Sequence, residues 1–273
     1  MSLSNHHPMI VREQWEKFTE VEHQTWNTMF ERQVKLLANR AADETIKGME
    51  NLAIFGKKIP KLSELNKALT AATGFSTVPV VGFIPEDLFF TLLSERKFPV
   101  GCFVRKPHQL DYIEEPDIFH DLFGHVPLLF NPVFADLTEA LGIKGTQALK
   151  RGMEKLAGRL YWFTLEFGLI RSSNGLRIYG AGITSSASES IYSLDSREPT
   201  YIRFNLQRAL KTQYKIDAIQ KLYMVIENFQ QLFQAIKSLD WDEMENFLVS
   251  FPDIAEGISL SPEEIIDTRG RAS

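Results

Sequence analysis

Between residues 22 and 47 the apolar side chains of Trp26, Met29, Phe30, Val34, Leu37 and Ala41 recur at three- and four-residue steps among charged neighbours. That spacing lays them along one stripe of a helix, and such a stripe must be covered by other elements. The same reasoning predicts a helix over residues 63–72, with Ser63 as N-cap and Thr73-Gly74 as stop. Further helices are expected over residues 85–94, 132–141, 146–167 and 200–238. Residues 76–85 are β-branched and punctuated by proline and glycine, as a loop or short strand would be, and residues 98–104 form a strand candidate. Residues 175–192, rich in glycine, serine and short apolar residues, are expected to form a ribbon of short strands carrying a substrate-facing turn. The expected class is mainly α, a compact helical core with a few short β-strands.

A chain of 273 residues can bury a full enzyme core. The expected division is a polar leader over residues 1–20, a single catalytic domain over 21–250, and a tail over 251–273. The tail carries a short helix candidate at 262–267 and is read as a subunit contact or a fraying end. A net charge of −5 without a long single-sign run gives no footprint for nucleic acid or an anionic membrane, so a small-molecule partner fits better. Cys102 is the single cysteine, which excludes an intramolecular disulfide and a cysteine-based metal site and favours a reducing compartment. The first residues lack a cationic stretch followed by an apolar one, and a cytoplasmic protein is expected. His6 and His7 lie in the leader and are read as part of an unstructured tail.

Of the four remaining histidines, His120 and His125 fall within Glu115-Pro-Asp-Ile-Phe-His-Asp-Leu-Phe-Gly-His-Val-Pro. On an unbroken α-helix, positions five apart point about 140° away from each other. A shared metal therefore requires the helix to end between the two imidazoles, and Gly124 offers the left-handed conformation that would end it, with Pro127 behind. The spacing also differs from the i, i+4 histidine pair of zinc proteases. Two imidazoles and one carboxylate on one face of an octahedron would make the site of a non-haem iron(II) oxygenase. Asp117, Asp121, Glu139, Glu166 and Glu189 are all candidates for that carboxylate. On spacing alone, a core histidine at 120 and a helix-end cap at 125 explain the segment equally well.

The Glu115–Pro127 segment resembles the iron-binding signature of the aromatic amino acid hydroxylases. The resemblance extends to Trp26 with Glu31-Arg32-Gln33, Thr73-Gly74-Phe75 with Pro79-Val80 and Gly82, Tyr161 through Gly168, and Tyr179-Gly180-Ala181-Gly182-Ile183 with Ser185-Ser186. It implies an iron(II) site made by His120, His125 and Glu166. It also implies an arginine fork at Arg105 for a substrate carboxylate, supported by Asp117. Pro116 and Trp162 would be pocket walls, with Gly182 and Ser185 at the rim. Pterin binding falls on Phe89, on Gly82, Phe83 and Ile84, and on Asp121, where many relatives carry glutamate. Glu86 and Pro99 stand where animal members have a serine and a histidine near the pterin, and Ile113 where many members have a threonine near the substrate.

The activity so implied is conversion of L-phenylalanine and dioxygen to L-tyrosine, with Fe(2+) and a tetrahydropterin co-substrate and no catalytic residues beyond the iron ligands. Apolar Ile216, where tyrosine-specific relatives place an aspartate, favours phenylalanine over tyrosine or tryptophan. The family's amino-acid-sensing domain and long tetramerisation helix are not found, so a monomer or homodimer is expected. Two other classes remain open. A 2-oxoglutarate oxygenase would place His-x-Asp on a β-jelly roll, against the helical texture here. A non-catalytic helical binding protein would tolerate loss of His120 or Glu166.

Overall fold

The computed structural model describes residues 7–266 except Tyr112 and Glu114, so His6 and Asp267 lie outside the described residues. Helix α1 (Glu20–Leu37) opens on a reciprocal cap. The Thr19 hydroxyl accepts the Glu22 N–H at 3.3 Å, and the Glu22 carboxylate accepts the Thr19 N–H at 2.7 Å. Its stripe buries Trp26, Met29 and Leu37. The single helix expected over residues 22–47 is in fact two, because α2 (Asp43–Ala53) begins after a break. There Ala42 N–H donates to Ile178 O and Ile178 N–H to Arg40 O, each at 2.8 Å. Ala41 and Ala42 keep the apolar pattern while their backbone pairs like a strand.

Helix α3 (Leu62–Thr73) ends at Gly74, whose φ is 77°. Its cap is not Ser63. The Glu13 carboxylate accepts the N–H groups of Leu62 and Ser63 at 2.5 and 3.1 Å, and Ile10 forms a β-bridge with Val80. The described part of the leader is thus packed against the body of the protein. Strands β1 (Ser76–Val80) and β2 (Lys97–Gly101) pair in parallel around α4 (Glu86–Ser94). The second strand stops at Gly101 rather than running to residue 104, because the Gly101 N–H turns to the Asp121 carboxylate at 2.7 Å.

The expected helix end between His120 and His125 does not exist. Residues His120–His125 form a π-helical turn that runs directly into α5 (Val126–Leu129). In a π turn each N–H bonds to the carbonyl five residues back, so residues five apart share a side of the helix where an α-helix would separate them. Gly124 is not one of the glycines with positive φ. Its role is proximity, since a Cβ there would lie 2.9 Å from the Ala181 carbonyl oxygen.

Helix α6 (Pro132–Leu149), capped by the Asn131 side chain, packs against α4. The helix expected over residues 146–167 is the end of α6, a turn at Gly152 with φ 68°, α7 (Glu154–Tyr161), and a second π turn, Trp162–Glu166. Strands β3 (Gly168–Ser172) and β4 (Gly175–Ile178) follow as an antiparallel pair. The ribbon expected over 175–192 is strand only at its start. Helices α8 (Ala181–Thr184) and α9 (Ala187–Asp195) occupy the rest, the latter capped by the Ser186 hydroxyl on Glu189 N–H.

The long helix expected over residues 200–238 is also replaced. It comprises β5 (Thr200–Arg203), α10 (Leu206–Lys211), β6 (Leu222–Ile226) and α11 (Phe229–Lys237), with α12 (Trp241–Ser250) beyond. The sheet order is β4-β3-β6-β5, and every residue of β6 is buried, as a strand covered on both faces requires. The described part of the tail is docked, with β-bridges from Ile254 to Thr212 and from Ile265 to Ile202. Residues Pro262–Glu264 form a single 3₁₀ turn. The architecture is mainly helical with small sheets, as the sequence predicts. Among the described residues no single helix is long and apolar enough to cross a membrane.

Candidate active site

The two π turns face each other across α8, and small residues permit the approach. Gly124 on the first turn lies against Ala181, and a Cβ on Gly182 would stand 2.7 Å from the Glu166 carboxylate on the second. The result is a cluster in which one donor atom each from His120, His125 and Glu166 lies within 4.8 Å of the others. Nε2 of His125 is 3.2 Å from Nε2 of His120 and 3.2 Å from Glu166 Oε2, while His120 Nε2 is 3.5 Å from Glu166 Oε1.

Of the other carboxylates that sequence proximity left open, none joins the cluster of imidazole nitrogens. Asp117 pairs with Arg105, Asp121 with the Gly101 N–H, Glu139 with Arg96, and Glu189 with Tyr223 and the Gln220 N–H.

The tautomer of His120 follows from its neighbours. Ser185 Oγ donates its one hydrogen to Ala181 O at 2.8 Å and lies 2.9 Å from His120 Nδ1. The hydroxyl therefore accepts the Nδ1–H, which leaves the Nε2 lone pair aimed into the cluster. Burial, opposed by Glu166, pushes the His120 imidazolium down to about 4, so this ring is neutral near pH 7. Burial alone would raise the Glu166 carboxyl, but His120 and His125 outweigh it and hold it below its usual range. Neutral imidazole nitrogen facing a carboxylate at this separation is a donor set that a divalent cation satisfies, and the geometry fits an iron(II) ion.

These groups sit at the floor of a cavity of about 810 Å³. Its wall brings together most of the residues singled out from the sequence: Arg105, Pro116, Trp162, Gly182 and Ser185 with Gly82, Phe83, Ile84, Phe89 and Asp121. Glu86, Pro99, Ile113 and Ile216 line it too. Phe83 stands at the mouth, 82% exposed, and Ile216 is 75% exposed. Asp117 lies behind the wall. Its carboxylate takes Arg105 Nε and Nη2 at 2.9 and 2.8 Å, and Oδ1 also accepts the His120 N–H at 3.1 Å. One buried carboxylate thus orients both the guanidinium and the start of the first π turn. The Asp121 carboxyl is pushed well above its usual range by burial, against the Gly101 N–H that favours its charged form.

Sequence reasoning gave no role to two aromatic residues that shape the cavity. Tyr161 places its hydroxyl 3.3 Å from His125 Nε2 and its ring edge-on to Phe89, with centroids 5.0 Å apart. Tyr214 stacks on Trp162 at 4.3 Å and an interplanar angle of 17°. Tyr161 is the last residue of α7, immediately before the π turn, so its place in the Tyr-Trp-Phe-Thr run was the available signal. Tyr214 lies in an irregular segment whose sequence carries no comparable cue.

Residues 13–267 match the family model for biopterin-dependent aromatic amino acid hydroxylases. The chain is 53% identical over 220 residues to the phenylalanine-4-hydroxylase of Chromobacterium violaceum, covering 81% of this chain and 74% of that protein. It is 45% identical over 255 residues to the phenylalanine-4-hydroxylase of Ralstonia nicotianae, covering 93% and 81%. Among solved structures, C. violaceum phenylalanine hydroxylase with bound iron(III) and the oxidised cofactor 7,8-dihydrobiopterin superposes with a TM-score of 0.88 at 47% identity, over 93% of this chain and 91% of that one. A match across nearly the whole chain, together with a two-histidine, one-glutamate cluster in a cavity lined by the signature residues, means that the chain belongs to the biopterin-dependent aromatic amino acid hydroxylases.

Proposed function

We propose that this protein converts L-phenylalanine and dioxygen to L-tyrosine, with iron(II) bound by His120, His125 and Glu166 and a tetrahydropterin as co-substrate. The observation that carries the reading is the convergence of those three donors at the floor of an 810 Å³ cavity. Similarity to curated bacterial phenylalanine-4-hydroxylases supports the choice of substrate. When bound, the iron supplies open coordination positions for dioxygen and the pterin supplies two electrons. The chain's own task is to hold ring, metal and pterin in register and to keep bulk water out.

Arg105 is suited to the amino acid carboxylate. Asp117 occupies its Nε and one Nη2 hydrogen, which fixes the plane of the guanidinium and leaves N–H groups toward the cavity. Trp162 and Pro116 supply flat apolar walls for the substrate ring, with Gly182 and Ser185 at the rim. Phe89, held edge-on by Tyr161, offers a face for the pterin. The backbone of Gly82, Phe83 and Ile84 and the Asp121 carboxyl supply polar groups for its edge. Burial and the nearby Glu166 carboxylate keep the Tyr161 phenol protonated, so beside His125 it is a hydrogen-bonding group and not an anion. The free, exposed Cys102 fits a reducing compartment such as the cytoplasm.

The test is tyrosine formation by metal-stripped protein supplied with phenylalanine, oxygen and tetrahydropterin as iron(II) or zinc(II) is added. Activity restored by iron alone, saturating near one equivalent, is expected. Folded, iron-loaded protein that makes no tyrosine would overturn the substrate reading.

A further inference from the structure

The side chain of Gln220 is 6% exposed and has all its hydrogen-bonding groups engaged. Its Nε2 donates to the carbonyls of Lys215 and Ala218 at 3.1 and 2.9 Å, and its Oε1 accepts the Trp162 indole N–H at 2.9 Å. Its backbone N–H donates to the buried Glu189 carboxylate at 3.2 Å, which also takes the Tyr223 hydroxyl. Ile216, Asp217, Ala218 and Ile219, the residues looped between these anchor points, line the cavity. This segment is neither helix nor strand, so no ladder of backbone bonds holds its shape.

We propose that Gln220 is a positioning residue that sets the width of the substrate pocket by fastening the Trp162 indole to the loop over residues 215–219. A glutamine amide has two N–H donors and one oxygen, and here each is committed to the protein, so the group is a tie and not a ligand contact. Trp162 is otherwise held by ring contacts, to Tyr214 at 4.3 Å and to Phe167 at 4.5 Å, which resist sliding less than a directional bond does. Removing the amide would leave the half-buried indole N–H without its partner and release both loop carbonyls. Wall and loop would then part, and the aromatic substrate would sit loosely over the metal.

The role rests on the phenylalanine reading above, and the wild-type assay decides that reading before any variant is made. Gln220→Met keeps the length of the side chain and removes its polar groups. At unchanged iron content it is expected to weaken phenylalanine binding, measured by calorimetry, and to raise its KM roughly five- to tenfold, the scale of one intramolecular hydrogen bond. The pterin KM should stay at the wild-type value, and tyrosine formed per pterin oxidised should fall. Trp162→Phe keeps a ring and removes the N–H, and adding Gln220→Met to it should change phenylalanine affinity little further. Folded Gln220→Met protein with wild-type phenylalanine affinity and coupling would overturn the proposal. So would independent, additive effects of the two substitutions. Should Gln220→Met not fold, Trp162→Phe alone decides, and wild-type coupling in that variant would equally overturn it.

Discussion

Gly182 lies against Glu166 so closely that a methyl group on its Cα would stand 2.7 Å from the carboxylate Oε1 and 2.7 Å from the Phe167 ring. Neither neighbour can retreat, since Glu166 is pinned between two imidazoles and Phe167 against Trp162. Gly182→Ala should therefore displace the carboxylate while leaving the buried faces of α8 intact. The expected outcome is a loss of iron affinity of roughly ten- to hundredfold, as for other changes that misorient a ligand. Competition with a chelator in a protein of unchanged circular dichroism measures it, and wild-type affinity would contradict the packing argument.

Arg105 and Asp117 are 6% and 0% exposed, so each is the other's main charge partner in a dry setting. Removing one leaves an uncompensated buried charge, and Asp117→Ala is expected to cost about 3 kcal/mol or more in denaturant unfolding. Arg105→Lys keeps the charge but loses the planar fork, and should raise the phenylalanine KM roughly ten- to hundredfold. The pterin KM should hardly change. Equal rises in both would place Arg105 outside the carboxylate site.

The signature residues were legible because their chemistry is unusual, but the device that joins them was not. Five-residue spacing between His120 and His125 reads as a helix end to anyone assuming α geometry, and Gly124 reinforces that reading. The structure uses a π turn instead, and the glycine serves an approach to Ala181 that no local pattern records. The run Leu222–Ile226 failed for a related reason. An unbroken apolar strand and a buried helical turn have the same periodicity over five residues, although Asn228, which caps the following helix, marked a boundary. Gln220 and Tyr214 carry no signal at all in one sequence, because their roles arise from partners distant along the chain.

If His120, His125 and Glu166 share one metal ion, loss of any donor should cost metal and activity together. His125→Ala and Glu166→Ala are expected to retain less than about a tenth of an equivalent of iron after desalting and to form no tyrosine. Their near-wild-type circular dichroism would show that the loss is local. Turnover at the wild-type rate in either variant would refute the ligand set.

His23 gives a pH dependence away from the metal. The ring is 5% exposed, its Nδ1 accepts the Ile59 N–H at 3.3 Å, and burial, helped by Lys58 and opposed by Glu20 and Glu22, pushes its pKa below the usual 6.5. A histidine lowered in the native state binds a proton more readily once unfolded. Stability from this group is therefore present at high pH and is lost as pH falls below the unfolded value toward the folded one. His23→Gln keeps an acceptor for Ile59 and removes the titration. Between about pH 7.5 and about pH 5 the melting temperature of the variant should fall less steeply than that of the wild type. Parallel curves would mean that His23 is protonated as easily in the native protein as in the unfolded chain, and that its bond to Ile59 does not depend on a neutral ring.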